Sequence, residues 1–199
     1  MLKYLVCLRL LPYIPIFYSS HILLGTDLSA IQSPWYVYPT TYCFYGHAKH
    51  PSRVPPNVIF EIDDYETDWS YSSGFDFIHS RELMGFIGDH DRFMSQAYEN
   101  LNPGGWLEMQ TTDPTLFSVD GGMERAKILP SYIANLHRAS ALFGKSMTEV
   151  NSWPRRMVRA GFKDVQVQIL TVILTCCFFA ALLLTFHSFQ LVRGQRTLN

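Results

Sequence analysis

No glycine precedes Gly25. An α/β sheet that holds a nucleoside cofactor ordinarily turns after its first strand on glycines, because only glycine lets the backbone come close to the ligand. Residues 1–24 contain no such turn, and from this the sequence predicts a sheet lacking its first strand and the glycine-rich loop. A charge excess is also missing. Sixteen Lys and Arg stand against 17 Asp and Glu, for a net charge of −1. That balance carries no nucleic-acid signal, which would be a basic patch. The four cysteines, Cys7, Cys43, Cys176 and Cys177, have neither disulfide nor zinc spacing, which points to a reducing compartment. His47 and His50 form a lone pair in a polar loop, so no metal site is expected.

Charge disappears altogether between Val165 and Val192. The centre of that run, "ILTVILTCCFFAALLLTF" (169–186), is long enough to span a membrane and too long for one buried strand. A core helix is the alternative, but the run shows no polar face. The expectation is a C-terminal apolar helix that crosses a membrane over 169–192, followed by a short tail, 193–199. Arg155, Arg156, Arg159 and Lys163 outweigh Arg193 and Arg196, which would keep the preceding domain cytosolic. If the run is not genuine coding sequence, the expected location is cytoplasmic or nuclear.

The rest of the chain alternates. Residues 1–22 are apolar and carry no assignment. Arg9, Pro12 and Pro15 interrupt them, unlike the unbroken core of a signal peptide. Strands are predicted at "ILLGTD" (22–27), "NVIFEIDD" (57–64), "FDFIHS" (75–80), "WLEMQ" (106–110) and "VQVQI" (165–169). A helix is predicted over 89–101, capped by Asp89 or Asp91, with Phe93, Met94, Ala97 and Leu101 on one face. "NPGG" (102–105) stops it. Residues 122–143 read as helix, kinked or broken at Pro130. A short helix ends at Gly161. Such alternation argues for an α/β sheet with helices on its faces, and ligands in such sheets bind at the carboxyl ends of the strands. Asp27, Asp63, Asp64, His79 and Ser80 lie at such ends, where the plainer role is capping loops.

Five segments occur in a familiar order: "GTDLSAIQSPW", "VPPNVIFEIDDYETDW", "FDFIHSRELMGFI", "AYENLNPGGWLEMQ" and "MVRAGFKDVQV". Over residues 23–168 the chain resembles fungal S-adenosylmethionine-dependent methyltransferases of the LaeA type, which are linked to control of secondary metabolism. The resemblance implies a class I methyltransferase fold with S-adenosylmethionine as cofactor and an unidentified methyl acceptor. It implies that Asp27 binds the ribose hydroxyls. It implies that Asp64 and Tyr65 contact the adenine by side chain and backbone, with Asp63 as a neighbouring acid. His79, Ser80 and Arg81 fall where cofactor and acceptor meet. A carboxylate suits a ribose diol because it offers two strong acceptors. No catalytic acid or base is assigned, because the sulfonium already carries an activated methyl group.

The chain departs from that family at three places. The glycine-rich loop is missing, so the chain is expected to be truncated at its N-terminus and weak in cofactor binding. Residues 36–53 interrupt the run from Trp35 to Val54 and read as an insertion, with the coding pattern of a retained short intron. The apolar run replaces the expected soluble continuation. Two functions follow from this reading, a methyltransferase or a membrane-attached interaction module on a degenerate methyltransferase fold.

Overall fold

β-branched and aromatic residues in short runs supply the strands. The structure, a computed structural model, describes residues 2–8, 21–27, 57–118, 125–126, 128–174 and 185–197. The insertion at 36–53 lies outside the described residues. Seven strands are described: β1 (Leu2–Leu8), β2 (His21–Asp27), β3 (Val58–Ile62), β4 (Phe75–Arg81), β5 (Leu101–Ser118), β6 (Lys163–Leu174) and β7 (Thr185–Gln195). They form one sheet in the order β3-β2-β1-β4-β5-β7-β6. The first five are parallel to one another, and β7 is antiparallel to both β5 and β6.

Two expectations are corrected here. The sheet does not lack its central strand: Leu2–Leu8 pairs with β2 on one side and β4 on the other. Apolar residues 2–8, with valine, tyrosine and leucines, suit a strand flanked on both edges. Where it is described, the apolar C-terminal run is strand and not helix, and residues 175–184 lie outside the described residues. Leu170 to Leu174 belong to β6, and Thr185 to Val192 belong to β7. The two pair in antiparallel register, for example Leu170 with Phe189 and Leu174 with Thr185. Uniform apolarity does not distinguish one long helix from two strands joined by a short connection, and the density of Val, Ile, Thr and Phe favours strands. Among the described residues no helix is long and apolar enough to cross a membrane.

Helix α1 (His90–Asn100) begins where Asp89 accepts a hydrogen bond from the Arg92 N–H at 2.9 Å. That side chain satisfies one of the free donors of the first turn. Phe93, Met94 and Ala97 are buried on its inner face. The "NPGG" stretch lies within the start of β5 and not in a turn before it, and Gly105 is required by crowding. A Cβ there would lie 2.9 Å from the Asn102 carbonyl and 3.0 Å from that of Asp76. Helix α2 (Leu129–Leu142) carries Pro130 in its first turn, and residues 126 and 128 are not helical, so the run expected over 122–143 is broken before the proline and not kinked at it. Proline is favoured in a first turn, where its missing N–H has no partner to lose. Helix α3 (Trp153–Ala160) ends at Gly161, whose φ of 108° only glycine adopts without strain.

One core joins the sheet to α1 and α3. Ile78, Leu107, Met109 and Val192 from the sheet meet Met94 and Ala97 of α1 and Met157 of α3. Trp153 lies at 1% exposure, and its indole Nε1–H donates to Nδ1 of His90 at 3.1 Å. This bond needs neutral His90. Burial first, then the charge of Arg156, lower the pKa of His90 below 6.5, while Glu149, Asp91 and Asp89 pull the other way. The unfolded chain therefore binds this proton more readily than the folded one, and stability rises with pH across the interval. The contribution is complete above pH 6.5 and is lost as pH falls toward the lowered folded value. The melting temperature is expected to fall as pH drops below 6.5, and His90→Gln is expected to flatten that slope. Equal slopes in the two proteins would contradict this role.

Candidate functional site

The parallel strands are in register up to a common edge. One row crosses all seven strands: Glu61, Thr26, Cys7, Ser80, Met109, Val192 and Val167. One residue further on, Asp27 pairs with Ile62, and Arg81 pairs with Leu8 and with Gln110. The carboxyl ends of β1 to β4 thus lie side by side. The chain order reverses between β1 and β4, with β2 and β3 on one side and β5 on the other. In open α/β sheets a ligand crevice forms outside such a reversal.

The structure brings the sequence-predicted residues to this edge. The Asp27 backbone stands beside Ile62, next to the loop that carries Asp63, Asp64 and Tyr65. Both oxygens of Asp63 are engaged, one by the Asp64 N–H at 2.9 Å and one by the Tyr71 hydroxyl at 3.1 Å. Asp64 accepts from the Glu66 N–H at 2.9 Å through Oδ1, and its Oδ2 keeps no partner among the described residues. Tyr65 donates its hydroxyl to the Phe86 carbonyl at 3.3 Å and packs edge-on against Phe93.

On β4, the members of the set diverge. His79 is buried, stacks on Phe77, and meets Glu108 Oε1 through Nδ1 at 3.0 Å. Hydrogen bonding from His79 is the main reason the Glu108 carboxyl sits below the usual range; burial opposes it, and Gln110 adds a further bond. His79 thereby ties β4 to β5. Ser80 is 1% exposed, and its Oγ has no hydrogen-bond partner. The Arg81 Nε is buried without a partner, as is the Thr111 Oγ1 on β5. A buried polar atom left unpaired costs about 1–3 kcal/mol, and three of the six such side-chain atoms among the described residues lie on β4 and β5 near this edge.

Several residues here were not legible as site residues in the sequence. Glu82 follows Arg81 with a φ of 54°, outside the range most side chains adopt. It is held by Thr112, whose hydroxyl donates to Glu82 Oε1 at 3.0 Å. Glu66 reaches across the edge: Oε1 accepts from the Gly88 N–H at 2.6 Å, and Oε2 pairs with the Lys145 ammonium. Lys145 also donates to the Phe86 carbonyl, and Arg92 bridges the Glu66 carbonyl and Asp68. These bonds clasp the loops after β3, β4 and α2 together. Glu66 and Lys145 lie 79 positions apart, and no local spacing links them. A separate open groove beside α3 is lined by Ser152, Pro154, Arg155, Arg156, Val158, Arg159 and Val165. It contains no strand-end residue. Among the described residues no cluster of metal-ligating side chains occurs.

The strand order and the switch point define a class I methyltransferase-like α/β fold with a mixed sheet. Residues 15–167 match the family model described as a methyltransferase domain. The chain belongs to that methyltransferase domain family. It is 31% identical over 147 residues to the methyltransferase pytC of Aspergillus terreus, covering 74% of this chain and 40% of that protein. It is 31% identical over 144 residues to the methyltransferase cpsF of Aspergillus campestris, covering 71% and 51% respectively. The chain thus spans about half or less of these relatives' length. Among solved structures, it is similar to Haemonchus contortus phosphoethanolamine N-methyltransferase 2, in complex with phosphomonomethylethanolamine and S-adenosylhomocysteine. The TM-score is 0.56 at 13% identity, over 98% of this chain and 49% of that one.

Proposed function

We propose that this chain binds S-adenosylmethionine at the carboxyl edge of β1 to β4 and serves in methyl transfer, as a methyltransferase of the LaeA type. The observation that carries the reading is the switch point between β1 and β4, flanked by Asp27 on one side and by the unpartnered Ser80 and Arg81 atoms on the other. The residues fit the cofactor. Asp27 and the spare oxygen of Asp64 offer acceptors to ribose hydroxyls and to an adenine amino group. The half-buried Tyr65 ring gives the base an apolar neighbour. Bound there, the cofactor supplies an activated methyl group on a sulfonium. The chain's own task is then to orient and to exclude water. His79 is occupied by Glu108 and fixes the strands beneath the site.

The thermal midpoint of the full chain in saturating S-adenosylmethionine tests the reading. A ligand at about 100 times its Kd stabilises by about 2.7 kcal/mol, so a clear upward shift is expected, with none from an unrelated nucleotide. A second reading is an interaction module on the same fold, without methyl transfer. It rests on the absence of glycine before Gly25, and it predicts an unchanged midpoint.

A further inference from the structure

Arg81 is the last residue of β4 and stands in register with Leu8, the last residue of β1. It therefore borders the switch point itself. Its side chain is half-buried, and it makes no hydrogen bond or ion pair with the described residues. Its Nε is buried without an acceptor, and a buried donor left unpaired is costly unless a ligand supplies an acceptor. The backbone on either side is fixed. Arg81 pairs with Gln110, and the Glu82 N–H donates to the Gln110 carbonyl at 2.8 Å. Glu82, in its left-handed conformation, is locked to Thr112 through both carboxylate oxygens. That carboxylate is thus turned to β5 and does not neutralise its neighbour.

Charge is sorted along the edge. Acids follow β2 and β3, and the unpaired cation ends β4. β1 lies between, so the Asp27 and Arg81 backbones are separated by two strand spacings, roughly 10 Å. A ligand with hydroxyls and an adenine at one end and a carboxylate at the other matches this order. The chain also needs an anion anchor of this kind. No glycine precedes Gly25, so the sequence between β1 and β2 has no glycine to let the backbone approach a carboxylate closely. A planar guanidinium receives a carboxylate through two parallel hydrogen bonds.

Building on the proposed cofactor, we infer that Arg81 holds the methionyl carboxylate of S-adenosylmethionine, taking the place of a glycine-rich loop. Decarboxylated S-adenosylmethionine separates this from the cofactor reading itself, because it lacks only the carboxylate. The full chain is titrated calorimetrically with both compounds. The wild type is expected to bind S-adenosylmethionine at least about tenfold more tightly, the effect of one charge-assisted pair. R81Q is expected to weaken S-adenosylmethionine alone, so that the two compounds bind within about threefold of each other. R81K keeps the charge without the fork, and its ratio should fall between. If R81Q does not fold, R81K carries the test. A wild type without preference, or variants with the wild-type ratio, would overturn the role of Arg81 and leave the cofactor reading standing. A wild type that binds neither compound would overturn both.

Discussion

Replacing Asp27 with alanine is expected to weaken S-adenosylhomocysteine binding about 100-fold, with little change in thermal stability. Asp27 ends β2 opposite Ile62, at the level of the sheet where the crevice opens. A carboxylate that accepts from both hydroxyls of a ribose makes two charge-assisted hydrogen bonds, worth together about 3 kcal/mol. The neighbouring acid provides the contrast. Both oxygens of Asp63 are already used within its own loop. Asp63→Ala should therefore lower stability by about 1 kcal/mol by leaving two donors unpaired, and any loss of affinity should follow from that loop. Calorimetric titration beside thermal melts separates the two cases. Loss of affinity in Asp63→Ala alone would reverse the assignment.

The largest effect on stability belongs to Trp153. It is 1% exposed and packs in the same cluster as Phe93, Met94 and Phe162. Trp153→Ala is expected to cost about 3–5 kcal/mol in urea unfolding followed by circular dichroism. Trp153→Phe keeps most of the volume but removes the donor to His90 Nδ1. It should cost about 1–3 kcal/mol, mostly through the unpaired imidazole nitrogen. A loss below about 1 kcal/mol for the alanine variant would mean that α3 is not part of the cooperative core.

What the sequence showed and what it hid divide along physical lines. The strands at 57–64 and 75–80 and the helix capped by Asp89 were legible, because period, cap and turn chemistry act locally. Gly161 was legible as a stop for the same reason. Strand β1 was not. The missing glycine loop suggested a missing strand, but a strand needs only an apolar run and two neighbours to pair with. The C-terminal run failed differently. Length and apolarity are shared by a membrane helix and by two consecutive strands, and only the pairing of β6 with β7 resolves them. In the site, strand-end residues could be placed by position. The Glu66–Lys145 pair, the Thr112 hold on Glu82 and the solitary state of Arg81 could not, since each depends on residues brought together by the sheet.

The central claim is a cofactor site at the carboxyl edge beside the β1–β4 switch point. Hydrogen–deuterium exchange of the full chain, with and without S-adenosylhomocysteine, tests it most directly. The account predicts slowed exchange in peptides ending β2, in residues 62–66 after β3, and across Ser80 to Leu83. Exchange unchanged throughout, or slowed only along the α3 groove from Ser152 to Val165, would contradict it.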